Sequence, residues 1–196
     1  MEELNDFYNN LSIDYDKQRG NKYFKLIEEI EYKLLAAKIA ASSAKHIFEV
    51  GCGTGSLTGE LVEKAGFVVA VELDRTLAGI AKNNLVKIDN IGLINVDILE
   101  NKHTLNHDVI RAIESARKKN NGRFLLVSNL PYNIASPTMM NLLTGPLVAD
   151  SMYVTVQKEV ADRMTALPGS DHYSILSIFM NAAGDAEVIR ILKPIV

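Results

Sequence analysis

Ile47-Phe48-Glu49-Val50-Gly51-Cys52-Gly53-Thr54-Gly55 decides how the chain is read. A short apolar run enters a loop with glycine at every second position, and a helical run follows from Ser56 to Ala65. A buried strand that turns through glycines into a helix opens a parallel α/β unit. Glycine permits both the tight turn and a close approach of backbone to a ligand. The pattern is G-x-G-x-G rather than the dinucleotide G-x-G-x-x-G, so a ligand loop and a plain strand-to-helix turn both remain open.

Working outward, Phe67–Val71 is a second apolar strand that ends at Glu72. A carboxylate at the tip of strand two can accept from both hydroxyls of a ribose, and it follows the glycine loop near the ~20-residue separation seen in nucleotide-binding α/β units. Asp74 competes for that role, but its place before Arg75–Asn84 suits a helix cap. Ile91–Val96 is a third strand ending at Asp97. Asp108–Lys119 and Met139–Leu143 read as helices, and Gly145-Pro146 stops the second. Met152–Val156 is a strand, Lys158–Leu167 a helix, and Tyr173–Met180 and Ala186–Leu192 supply the last strand material. Five strand–helix alternations predict a doubly wound, mostly parallel sheet with helices on both faces.

Phe124-Leu125-Leu126-Val127-Ser128 is a further buried strand, broken by Asn129-Leu130-Pro131-Tyr132. This corner falls just past a strand's carboxyl end, where open α/β sheets place ligands. Asn129 offers a side-chain acceptor. Leu130, held extended by Pro131, offers a carbonyl of fixed direction, and Tyr132 offers a flat ring. Two acceptors beside a ring suit a flat heterocycle with an exocyclic amino group, such as a flipped-out adenine. The same residues also make ordinary strand-ending turns.

With 196 residues, 47% hydrophobic and 23% charged, the chain is long enough for a real core. No apolar run reaches the ~18 residues of a membrane span. Met1-Glu2-Glu3 is no secretory start, and the single cysteine, Cys52, excludes an internal disulfide, so a cytoplasmic location is expected. A net charge of −3 is unusual for a protein that binds nucleic acid. Arg117-Lys118-Lys119 with Arg123, and Lys17, Arg19, Lys22 and Lys25, are candidate basic faces, or simply solvated ones. His103 and His107 stand four apart, but without a Glu-bearing H-E-x-x-H pattern or a cysteine partner they suggest loop histidines, and no metal is expected. Residues 1–44 read as a helical lead-in packed on the same domain, and 45–196 as the catalytic domain.

Asn129–Pro137, N-L-P-Y-N-I-A-S-P, closely resembles the fourth motif of the rRNA adenine dimethyltransferases, the kasugamycin-resistance type related to the erythromycin-resistance methylases. Val156–Arg163 and Pro168–Leu176 resemble later signatures of that family, and the Glu49–Gly55 loop resembles the first motif of class I S-adenosylmethionine-dependent methyltransferases. The resemblance implies a Rossmann-like three-layer sandwich, with an incomplete sheet edge expected here. It implies S-adenosylmethionine as cofactor, held by Glu49, Gly51, Gly53, Gly55, Glu72, Asp97 and Asn129. Asn129, Leu130, Pro131 and Tyr132 would carry catalysis, with Tyr132 and, more weakly, Phe179 against the target base. The implied partner is ribosomal RNA in a small-subunit precursor, met by a monomer. Three departures stand out. The family's Gly-Gln-Asn-Phe-Leu opening is missing, and Tyr15–Arg19 resembles small-molecule methyltransferases instead. Asn181-Ala182-Ala183 stands where the family carries an aromatic, and the chain stops at Val196 where the family continues into a helical domain. A small-molecule methyltransferase, or an RNA-binding assembly or transcription factor without turnover, are the other expectations.

Overall fold

Strand β1 (Ala44–Val50) is the centre of the molecule, and its side chains are buried on both faces, as a central parallel strand requires. The computed structural model describes residues 32–192 except 34, 41, 43 and 120. Expectations for residues 1–31, including Tyr15–Arg19 and the Lys17–Lys25 cluster, lie outside the described residues. Within 32–42, the described residues are helical.

From β1 the chain runs through α1 (Ser56–Val62), β2 (Phe67–Glu72), α2 (Arg75–Asn84) and β3 (Ile91–Asn95). It then makes a small hairpin, β4 (Leu99–Asn101) with β5 (Thr104–Leu105), that the sequence did not announce. Helix α3 (His107–Lys119), β6 (Arg123–Asn129), α4 (Ala135–Thr144), β7 (Ser151–Thr155), α5 (Lys158–Met164) and α6 (Ile175–Ala183) complete the described chain. The five-stranded sheet has the order β3-β2-β1-β6-β7, and all its pairings are parallel. This is the Rossmann-like α/β sandwich.

Strand periodicity divides the core. Phe48, Val50, Val69, Val71 and Leu126 face α3, α4 and α6. Ile47, Val68, Ala70, Leu125 and Val127 face the 32–42 helix, α1 and α2. Asp74 caps α2 as expected, accepting from the Thr76 and Leu77 N–H groups at 2.7 and 2.9 Å.

Two strand readings are corrected. Tyr173–Met180 is not a strand, because Ile175–Ala183 is helical. Ser174 and Ser177 form a capping box, and Leu176, Ser177 and Met180 are the positions turned inward, a helical spacing hidden in a β-rich composition. Residues 186–192 form no strand either. Together with β7 they line a groove of about 720 Å³, and Glu187 pairs with Lys38 at 3.2 Å. The far edge of β7 is therefore unpaired among the described residues.

Candidate active site

The strand order reverses between β1 and β6. Loops leaving their carboxyl ends diverge and open a crevice there. On one side lies the glycine loop. Gly51 and Cys52 both donate to the Val71 carbonyl, at 2.8 and 3.2 Å, which pins the loop over β2. Gly53, at φ 57°, donates to Glu72 Oε2 at 2.8 Å, and a Cβ there would meet nothing within 4 Å, so the loop's outer face is open. Gly55 is the N-cap of α1.

Glu72 sits at the tip of β2, 8% exposed. Its two oxygens accept from Gly53 N and Asp74 N, both at 2.8 Å. Asn95 Nδ2 donates to the Glu72 and Leu73 carbonyls and fixes this strand end, a support no sequence motif disclosed. The carboxylate therefore shapes the loop, and each oxygen keeps a second lone pair for a further donor.

Glu49 lies beneath the loop, 2% exposed, and accepts from Thr58 Oγ1 at 2.7 Å. Burial pushes its carboxyl up to about 8, opposed by the Thr58 hydrogen bond and reinforced by the charge of Glu72. Burial, with the same two carboxylates, also raises the Cys52 thiol, so this cysteine is an inert packing residue. The folded chain thus holds a proton on Glu49 that the unfolded chain releases above its ordinary value of 4.5. The resulting stability is complete below that value and is lost as pH rises through about 8. Glu49→Gln is expected to flatten this fall, gaining on the natural chain by up to roughly 1.4 kcal/mol per pH unit across the window. Urea titrations at both ends of the window check it, and parallel slopes for the two proteins would clear Glu49 of the effect.

On the other side of the crevice stands the Asn129–Tyr132 corner. Asn129 ends β6 opposite Thr155, and Leu130 N donates to the Thr155 carbonyl at 3.1 Å. The Leu130 side chain is 1% exposed and anchors the corner in the core. The Asn129 amide is exposed, and among the described residues neither it nor the Leu130 carbonyl has a hydrogen-bond partner. The Tyr132 ring is 68% exposed. Pro131 reaches back to the glycine loop so closely that a Cβ on Gly51 would lie 2.9 Å from its Cγ, and Gly51 has φ 69°. Gly51→Ala therefore combines a clash with left-handed strain, and about 1–3 kcal/mol of stability is expected to be lost, together with cofactor affinity. A thermal melt and a calorimetric titration measure both losses. A variant as stable as the parent would mean that the two loops can separate.

The family model described as ribosomal RNA adenine dimethylase matches residues 21–195. The chain belongs to this family. It is 37% identical over 178 residues to the "Ribosomal RNA small subunit methyltransferase A" of Clostridioides difficile, covering 91% of this chain and 58% of that one. A protein of the same name from Caldanaerobacter subterraneus subsp. tengcongensis is 38% identical over 167 residues, covering 83% and 59%. The solved dimethyladenosine transferase from Plasmodium falciparum superposes with a TM-score of 0.57 at 25% identity, over 75% of this chain and 50% of that one. The chain thus spans less than two thirds of the length of these relatives. Dimethylases of this family draw their methyl group from S-adenosylmethionine.

The remaining candidate residues are placed as follows. Asp97 lies exposed just past β3, and its carboxylate accepts from Leu99 N at 2.9 Å, as a turn residue does. Phe179 is on α6, 36% exposed, and no ring contact joins it to Tyr132 among the described residues. Asn181 shares that helix. Arg117 to Lys119 end α3 and Arg123 starts β6, at the opposite edge of the sheet from the crevice. Over the seven residues of β6 that is roughly 20 Å. Two of these cations have structural tasks: Arg117 lies over the Phe124 ring and Arg123 bonds Ser42 O and Ser151 Oγ. Lys158 pairs with Asp162 at 2.6 Å. His103 is in the β4–β5 turn and His107 opens α3 against Glu100, so the two histidines share no helix face. The His107 hydrogen bond holds the Glu100 carboxyl below its usual range. No described helix is long and apolar enough to cross a membrane.

Proposed function

We propose that this chain is an S-adenosylmethionine-dependent methyltransferase that dimethylates the exocyclic amino group of adenine in ribosomal RNA, of the small subunit by its relatives' names. One observation carries the reading. The Asn129–Tyr132 corner is rigidly seated through Leu130, while its acceptors and ring stay open beside the glycine loop. The residues fit the cofactor: the open face at Gly53 and the spare lone pairs of Glu72 would take its ribose and backbone, and Asp97 stands at the next strand end. When bound, S-adenosylmethionine supplies an electrophilic methyl group.

The amino nitrogen of adenine is a poor nucleophile because its lone pair is delocalised into the ring. Asn129 Oδ1 and the Leu130 carbonyl accept its hydrogens, two in the first transfer and one in the second, and favour the pyramidal form that carries a free lone pair. They also stabilise positive charge as it develops on nitrogen. Tyr132 stacks on the base, a contact worth ~1–3 kcal/mol. No carboxylate base is required, because the methylated ammonium is acidic enough to lose its proton to water.

Incorporation of labelled methyl groups into small-subunit ribosomal RNA, run beside a panel of metabolites, tests the proposal. Label on adenine amino groups of the RNA is the expected result. Label on a metabolite would favour the small-molecule reading, and cofactor binding without transfer would favour a scaffold without turnover.

A further inference from the structure

Strands β1 and β6 stop pairing before either ends. Their ladder runs from Ala44↔Arg123 to Phe48↔Leu126 and no further. On the flanks, β1 stays paired to β2 through Val50↔Val71, and β6 stays paired to β7 through Asn129↔Thr155. The two central strands therefore splay just where the crevice opens. Across that splay Ser128 Oγ donates to the Val50 carbonyl at 2.6 Å, a link spanning 78 positions of sequence and 1% exposed at Ser128. Val50 is the residue before Gly51, and Ser128 is the residue before Asn129. One side-chain hydrogen bond thus joins the root of the glycine loop to the root of the Asn129–Tyr132 corner. The Gly51–Pro131 contact closes the same pair of loops one step further out.

We propose that Ser128 is a positioning residue for methyl transfer, setting the separation between the group held over the glycine loop and the amine held by Asn129 and Leu130. The role rests on the methyltransferase reading given above. Backbone pairing cannot set this distance, because the ladder has already ended. The hydroxyl is the remaining hydrogen bond between the two strand ends among the described residues. Displacement of reacting groups by ~1 Å can cost on the order of 100-fold in rate without touching either binding site.

The test compares the natural chain with Ser128→Ala and Ser128→Thr. Single-turnover transfer to small-subunit ribosomal RNA is measured, normalised to cofactor sites counted by calorimetry. Ser128→Ala is expected to lose roughly 10- to 100-fold in kcat while cofactor Kd and RNA KM move by less than about threefold. Ser128→Thr, which keeps the hydroxyl, is expected to recover most of the rate. A merely structural role would lower the number of cofactor sites and the melting temperature but leave kcat per site intact, and that outcome overturns the proposal. So does equal impairment of the Ala and Thr variants at full cofactor occupancy. A natural chain that binds cofactor yet transfers nothing overturns the methyltransferase reading and this role with it, whereas an active natural chain matched by Ser128→Ala overturns this role alone.

Discussion

Asn129→Ala is expected to lower kcat by about 100- to 1,000-fold, the loss typical when one oriented hydrogen-bonding group is removed from a developing charge. Affinity for RNA and cofactor should change by less than about threefold. The asymmetry follows from where the amide stands. It ends β6 on an exposed face with no protein partner among the described residues, so truncation leaves no buried group unsatisfied. Its acceptor gains strength when the amine pyramidalises and charge appears on nitrogen, so the interaction belongs to the transition state more than to the bound substrate. Single-turnover methylation with saturating cofactor reads the effect directly. A variant with undiminished kcat would take Asn129 out of the chemistry and leave the Leu130 carbonyl as the remaining oriented acceptor.

Glu72→Ala should be the most damaging change to cofactor binding. Hydrogen bonds to a charged group contribute ~1.5–3 kcal/mol each, so losing a pair to the ribose predicts at least roughly 100-fold weaker binding. The structure adds a second cause. The same carboxylate accepts from Gly53 N and Asp74 N, so the loop and the start of α2 lose a shared anchor together with the ribose contact. Glu72→Gln separates the causes: it keeps the volume and one acceptor, but turns an N–H donor toward a backbone N–H. Calorimetry on both variants should show the amide closer to alanine than to the natural residue. Unchanged affinity in Glu72→Ala would exclude this residue from the cofactor site.

The sheet was legible because buried parallel strands announce themselves as continuous apolar runs. Phe67–Glu72 and Arg75–Asn84 have the expected bounds, and Asp74 caps the latter with its own side chain. The Asn129–Tyr132 corner was legible for a different reason: proline ends a strand wherever it falls, so its place at a strand tip follows from local chemistry. Tyr173–Met180 misled because Ile, Phe and Tyr favour strands, while the burial of Leu176 and Met180 alone follows the helix. The supports of the site were invisible for a third reason. Asn95 under Glu72 and Ser128 under Val50 act across 23 and 78 positions of sequence, which no local pattern encodes, and Thr58 meets Glu49 only because the glycine loop between them turns back on itself.

The neighbourhood of β1 also governs when the site can come into being. On a ribosome the chain emerges in order, at ~5–20 residues per second. β1 can pair with β2 as soon as Phe67–Glu72 has appeared, but its other neighbour begins at Arg123. Until then the glycine loop has a floor on one side only, and a nascent β3-β2-β1 layer exposes an apolar edge that chaperones and wrong strands can also find. Closure of the long interval up to β6 is an entropic hurdle of the kind that slows folds rich in distant contacts. Its reward is that the glycine loop and the Asn129–Tyr132 corner meet in one event, so a half-made chain has no closed crevice.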